Sequence, residues 1–422
     1  MERPRRIGVV TTSFPRWRGD PAGAFVFGLA AALVRRGHEV EVVVPEPRER
    51  AAWGRAEPWL RGVRVDAVPY ARPRRLEALF FGAGVPDNLA RNPALFALAP
   101  LAVAALWSAV RRRSPSWDAV VSEWLIPSSL AVGLLGAERP KHLAIAHSGD
   151  VHLLGRLPFA GALAAHLADR ADRIGCVAEA VRDELVEILG PKRACGRTDK
   201  LVLAPMGIDP ASLAPARPRD AVREELGIRG FAILFLGRLV PIKGADVLID
   251  AVAGSAGTTA LIAGDGPARA ELERRGRTGG VDVRFLGAVD EPRRAELLAA
   301  CDAVAVPSRV LRDGRHEGMP LVVLEAMFAG APVVASASGG IAEIVRDNET
   351  GLLVPPGDAT ALAAALARLR EDPALRARIA SGGRRVAASR TWAEIVPGIE
   401  QALGLGEVAA VGRGLTGAGP TI

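Results

Sequence analysis

Cysteine is scarce: Cys176, Cys195 and Cys301 are the only three, an odd number with no spacing that suits a metal site or a disulfide framework. That usage fits a reducing cytosol. Aromatic residues make up 5% of the sequence and tyrosine occurs once, at Tyr70. Nucleic-acid binding would rest on charge alone, and no such partner is expected. No Asp-x-Asp occurs anywhere, and neither a metal nor a cofactor is expected. The first strand-like run, residues 7–11, continues as "TSFPRW" and not as Gly-x-Gly-x-x-Gly. That counts against a dinucleotide oxidoreductase. The same run is too short for the apolar core of a signal peptide, so no leader is expected. The uncharged run 93–110 ends at Arg111-Arg112-Arg113. Its length is at the lower edge of a membrane span of about 17–25 residues. A helix packed on the core, or lying in a bilayer interface, accounts for it better.

What is present points to two α/β units. A chain of 422 residues, 49% apolar and 24% charged, is too long for one ordinary core, and two domains of about 200 residues are the natural division. The net charge of +7 is uneven. Residues 1–209 hold 29 Lys/Arg and 22 Asp/Glu (29 − 22 = +7), and residues 210–422 hold 25 of each (25 − 25 = 0). A basic first half suits an anionic partner such as a lipid phosphate or a membrane surface.

Along the chain, strands are expected near 7–11, 40–44, 63–67, 119–122, 142–146, 173–177 and 201–204. A helix carries Phe25, Leu29, Ala32 and Leu33 at helical spacing and stops at Gly37. "RRGHEVEVVVP" closes a β-α-β unit, which implies a parallel sheet. Residues 210–220, "PASLAPARPRD", hold three prolines and read as an interdomain linker. The alternation then restarts, with strands near 231–236, 259–263, 283–285, 303–306 and 333–335. Helices lie near 244–253, 267–277, 291–300, 320–329, 358–371 and 373–388. The expected domains are 1–209 and 221–390. A last helix at 391–403 is expected to return to the first domain, and a Gly-rich tail from 404 to 422 reads as disordered.

Three loops in the second half carry chemistry, and each leaves the carboxyl end of a strand, where open parallel sheets place their ligands. The first runs from Gly237 through Arg238 to Lys243 and Gly244. Two cations there suit a diphosphate whose charge grows as it leaves. The second holds Gly264, Asp265 and Gly266, permitting close backbone approach. The third is "EGMPLVVLE", from Glu317 to Glu325. Pro320 suits the first turn of a helix, and Gly318 lets backbone N–H groups approach phosphate oxygens at that helix start. At about 1.5 Å rise per residue, the two carboxylates reach different parts of one ligand roughly 8–10 Å long.

Together "LGRLVPIKGADVLIDA", "LIAGDGPARAELE", "FLGAVDEPRRAELLAACDAVAVPS", "EGMPLVVLEAMFAGAPVVASASGGIAEIV" and "TGLLVPPGD" resemble the C-terminal domain of the family 4 glycosyltransferases, in order and spacing. "SFPRWRGDPAGAFVFGLAAALVRRGHEVEVVVP" and "AHSGDVHLL" resemble its acceptor-side half. There Gly19-Asp20 and Gly23 stand where the family often has a Gly-Gly pair, and Ser-Gly-Asp follows His147 where Gly-Ser-Asp is common. The resemblance implies the GT-B fold, two Rossmann-like domains facing each other across a cleft. It implies a retaining, metal-independent transfer of a hexose from a nucleotide-diphosphate-sugar to an acceptor hydroxyl.

It also assigns residues. Arg238 and Lys243 would hold the donor phosphates, and Gly23, Gly237, Gly264 and Gly266 would belong to the donor-binding site. Glu317 would contact the sugar and Glu325 the ribose. The backbone around Gly318, Met319, Pro320, Leu321 and Val322 would take donor oxygens. His147 would face the sugar from the opposite domain, with Asp20 and Asp150 on the acceptor side; His316 reads as an ordinary loop residue. The expected acceptor is a glycan or lipid-linked molecule, in the cytoplasm or on the inner face of its membrane. A non-catalytic nucleotide-sugar-binding protein and a nucleotide-sugar 2-epimerase are the alternatives on the same fold.

Overall fold

The structure is a computed structural model that describes residues 4–48, 51, 53, 57–81, 84–136, 139–278, 280 and 282–406. Most of the tail assigned from residue 404 lies outside the described residues. The first sheet holds β1 (Arg6–Val10), β2 (Glu39–Pro45), β3 (Arg64–Val68), β4 (Ala119–Glu123), β5 (Lys141–Ala146), β6 (Arg173–Cys176) and β7 (Leu201–Leu203). Their order is β3-β2-β1-β4-β5-β6-β7. The second holds β8 (Phe231–Leu236), β9 (Thr258–Ala263), β10 (Asp282–Gly287), β11 (Ala303–Val306), β12 (Val333–Ser336) and β13 (Leu352–Val354). Their order is β10-β9-β8-β11-β12-β13. Every pairing is parallel.

This is the α/β, GT-B class of fold. Parallel sheets are covered by helices on both faces, so their strands read as continuous apolar runs: β9, β11 and β12 are buried at every residue. Strand order reverses between β1 and β4 and again between β8 and β11. Ligands of doubly wound sheets sit outside the carboxyl ends of the strands at such reversals.

Two elements differ from the sequence reading, and the apolar run takes a definite form. β13 was not expected; it is three residues long, too short to show a period. Residues 210–220 are not irregular throughout. A turn at Pro210–Leu213 buries Leu213, and Pro218 opens a helix at Arg219–Glu225. The apolar run forms a 3-10 turn, Pro93–Leu98, and a helix, Ala99–Arg113. Ala102, Leu106, Ala109 and Val110 enter the core, while Phe96 and Leu101 stay 49% and 51% exposed. It is amphipathic in place, although long and apolar enough to cross a membrane by length and composition.

The helix Trp392–Ala402 leaves the second half and packs on Ala24–Arg35 of the first. Trp392 is buried, and a Cβ added at Gly28 would lie 2.3 Å from its Nε1. Burying such an indole removes about 150–250 Å² from water, worth roughly 4–6 kcal/mol. Arg36 grips Glu400 with two hydrogen bonds, of 2.5 and 2.6 Å. The last helix thus straps the two sheets together.

Candidate active site

The glycine loops of the second sheet fit against each other. Leu239 N donates to Asp265 O at 2.9 Å, and a Cβ on Gly264 would lie 1.8 Å from Gly237 O. Gly264 and Gly266 are therefore accounted for by the docking of one loop on the other, which sets where Arg238 and Lys243 emerge. Arg238 reaches towards the first half, its Nη1 3.2 Å from the position of a Cβ on Gly84. Lys243 Nζ is 2.9 Å from Glu317 Oε2, an ion pair joining residues 74 apart in sequence.

Glu317 is held by the loop after β12. Gly340 N donates to Gly318 O at 2.7 Å, and a Cβ on Gly339 would lie 2.0 Å from Glu317 O. Pro320 caps the helix Leu321–Ala329 one position before its first residue, and Met319 beside it is buried. Leu321 and Val322 open that helix. Glu325 is 7% exposed within it. Its cation is Arg294, on the helix Glu291–Ala300, with Nη1 3.0 Å from Oε1. Burial pushes the Glu325 carboxyl above its ordinary range, and the Arg294 charge opposes the rise.

On the first sheet, β4 and β5 are neighbours, so Glu123 at the end of β4 meets His147 just beyond β5. Glu123 Oε2 is 2.7 Å from His147 Nε2, and both side chains are buried. The rings of Trp124 and Phe25 each lie 5.2 Å from the imidazole. His147 N donates to Asp150 Oδ1 at 2.8 Å, and Leu125 N donates to Oδ2. Burial would lower the His147 pKa, but the hydrogen bond and charge of Glu123, with the charge of Asp150, raise it. Burial lifts Asp150 to about 6 against those same donors and the His147 charge.

Asp20, read as an acceptor-side residue, has both oxygens engaged in its own loop. Oδ2 accepts from Arg16 Nε at 2.7 Å, and Oδ1 from Ala22 N at 3.1 Å. It shapes that loop and is only 3% exposed. Gly23 caps the helix Ala24–Arg35 with φ 65°, and a Cβ there would lie 2.3 Å from Ser13 O.

The two halves meet beside these groups. Ser148 Oγ donates to His316 O at 3.1 Å, and a Cβ on Gly318 would lie 2.9 Å from Ser148 Cβ. Glu343 accepts from Glu179 N and Ala180 N at 2.8 Å each, capping a first-half helix from the second half. His316 is thus part of the contact between the halves. Sequence reasoning also passed over Glu123, Ser148 and Arg294. Each has a partner far away in sequence, and nothing local marks it. Among the described residues, no group of three His, Cys, Asp or Glu is placed to hold a metal.

Residues 22–212 match Glycosyltransferase Family 4, and residues 230–372 match Glycosyl transferases group 1. The D-inositol 3-phosphate glycosyltransferase of Xylanimonas cellulosilytica is 31% identical over 405 residues, covering 89% of this chain and 90% of its own.

The chain belongs to glycosyltransferase family 4.

A second relative is 36% identical over 211 residues, 48% of this chain and 55% of its own. It is the GDP-mannose-dependent monoacylated alpha-(1-6)-phosphatidylinositol monomannoside mannosyltransferase of Corynebacterium glutamicum. The structure of Anabaena HepE in complex with UDP and glucose shares the fold, with TM-score 0.71 and 24% identity over 95% of this chain and 99% of that one. The chain is accordingly a glycosyltransferase, an enzyme of the hexosyltransferase kind.

The Glu123–His147 pair carries a pH signature. A group with a raised folded pKa stabilises the fold below its unfolded value, about 6.5 for histidine, and that contribution disappears as pH rises through the folded value. Glu123→Gln is expected to lower the urea midpoint more at pH 6 than at pH 9. An equal loss at the two pH values contradicts the pairing.

Proposed function

We propose that this family 4 enzyme is a retaining hexosyltransferase whose donor is a nucleotide-diphosphate-sugar bound mainly by its second half. The observation that carries this reading is the Lys243–Glu317 pair, its lysine in the loop that follows Arg238 where the second sheet reverses, with Ser148, next to His147, touching the segment that carries Glu317. A cation and a carboxylate that neutralise each other without ligand can separate onto a donor. Lys243 and Arg238 take the diphosphate, and Glu317 takes sugar hydroxyls. Glu325 accepts from the ribose. Backbone N–H groups from Gly318 to Val322, Pro320 excepted, stabilise oxygen charge at the helix start. His147 walls the sugar from the first half, with Asp150 behind it.

The acceptor hydroxyl attacks from the face that the nucleotide leaves, and the departing phosphate takes its proton. The protein's contribution is position and charge stabilisation, with cations in place of a metal. The product, followed by NMR with excess EDTA, is expected to keep the donor's anomeric configuration at an undiminished rate. Inversion, or a loss restored by magnesium or manganese, contradicts the proposal. Epimerised nucleotide-sugar formed without acceptor would support the epimerase reading.

The acceptor we propose is a glycan carrier at an anionic bilayer, with the enzyme peripheral on its cytoplasmic face. The support is the outer side of the apolar run. Phe96, Leu101 and Leu76 are exposed, 22% of the run's most apolar window is buried, and Arg72, Arg75, Arg91, Arg111 and Arg112 are exposed around it. Positions 101, 104, 108 and 112 share one helix face, so apolar and basic groups lie along a single stripe. Basic side chains near an anionic surface contribute about 1 kcal/mol each and are screened by salt. Flotation with phosphatidylserine-containing liposomes at low salt is expected to carry the protein. Phe96→Asp/Leu101→Asp should abolish this, and high salt should weaken it. Absence of flotation at low salt contradicts the membrane assignment.

A further inference from the structure

Arginine–carboxylate pairs in this chain are commonly bidentate. Arg36 holds both oxygens of Glu400, Arg217 both of Glu296 and Arg197 both of Asp169. The pair at Glu325 is different. Arg294 comes closest to Oε1, through Nη1 at 3.0 Å, and no parallel pair of hydrogen bonds joins the two side chains. Its Nη2 is 3.5 Å from Ser212 Oγ, and its Nε is buried with no hydrogen-bond partner among the described residues. A planar guanidinium fork matches a carboxylate best with two parallel bonds, and an orphaned buried N–H costs free energy. Two side chains that only bridged the helices Glu291–Ala300 and Leu321–Ala329 would be expected to pair through both oxygens. Here the paired geometry is missing, although Glu325 is buried. The first half closes over the same helix start, where Gly19 packs on Asp290, its N-cap residue.

We propose that Arg294 is a positioning residue for ribose recognition: its charge holds Glu325 in place without a parallel two-bond pairing, so that the carboxylate stays available to the ribose diol. The inference rests on the reading of Glu325 as the ribose acceptor. Burial raises the Glu325 carboxyl and the Arg294 charge counters it, so the same contact also favours the charged acceptor that a diol needs. Loss of that contact leaves the carboxylate free to rotate or to take a proton. The enzyme should then stop distinguishing a ribose from a deoxyribose while its grip on the diphosphate persists.

The test is equilibrium binding by calorimetry, on wild type, Arg294→Met and Arg294→Lys. The probes are UDP, GDP and ADP, the 2′-deoxy and 3′-deoxy forms of whichever binds, and inorganic pyrophosphate. Wild type is expected to bind the ribose form about 10- to 100-fold more tightly than either deoxy form, as a hydrogen bond to a charged group implies. In Arg294→Met that ratio should fall to within about 3-fold, with pyrophosphate affinity unchanged; Arg294→Lys should recover part of the ratio. A wild-type ratio in Arg294→Met overturns the inference. A parallel loss of pyrophosphate binding also overturns it, by making Arg294 a residue of the fold. Wild type that binds no nucleotide, or binds without ribose discrimination, refutes the donor-site reading beneath it.

Discussion

All strands of each sheet run the same way, and this fixes where everything else goes. A parallel sheet delivers each strand-to-helix loop to a single edge. In this chain those edges carry Glu123 and His147 from the first sheet and Lys243, Glu317 and Glu325 from the second. The helix Trp392–Ala402, wedged by Trp392 against Gly28 and tied by Glu400 to Arg36, returns the end of the second half to the first. With that strap in place the loop edges face each other, and Ser148 touches the segment that carries Glu317.

Buried charge is the second theme. Lys243–Glu317, Arg294–Glu325 and His147–Glu123 each set a partly or wholly buried charge against a partner. Leaving one such group unpaired costs several kcal/mol, so each depends on its partner. Catalysis in this account is an exchange of partners. On the proposed reading, the donor's diphosphate would take Lys243 from Glu317, and its hydroxyls would complete the carboxylates.

The fold class was legible because apolar runs at strand length alternated with helical spacing across both halves, and the glycine loops fell at predicted strand ends. Elements too short for a period were not legible: β13, and the turn and helix inside the proline-rich segment. The candidate residues Arg238, Lys243, Glu317 and Glu325 could be named because they lie in motifs whose order carries information, and the structure pairs Lys243 with Glu317. Gly264 and Gly266 were read correctly as sites of close backbone approach, but their neighbour is the Gly237 loop. Asp20 looked available and is enclosed by Arg16 and Ala22. Glu123 and Arg294 could not be found, because a strand-end glutamate and one arginine of a pair on a helix look the same with or without a distant partner.

The most direct test of the central claim is thermal stabilisation by UDP-, GDP- and ADP-sugars, with release of free nucleotide followed in parallel, on wild type beside an Arg238→Ala/Lys243→Ala variant. A ligand at 100 times its Kd stabilises the folded state by about 2.7 kcal/mol, a shift of a few degrees in Tm. The account predicts that one nucleotide class produces this shift in wild type and that the double variant loses it. If no donor stabilises the protein, or if the variant responds as wild type does, the cleft between the two sheets is not the donor site described above.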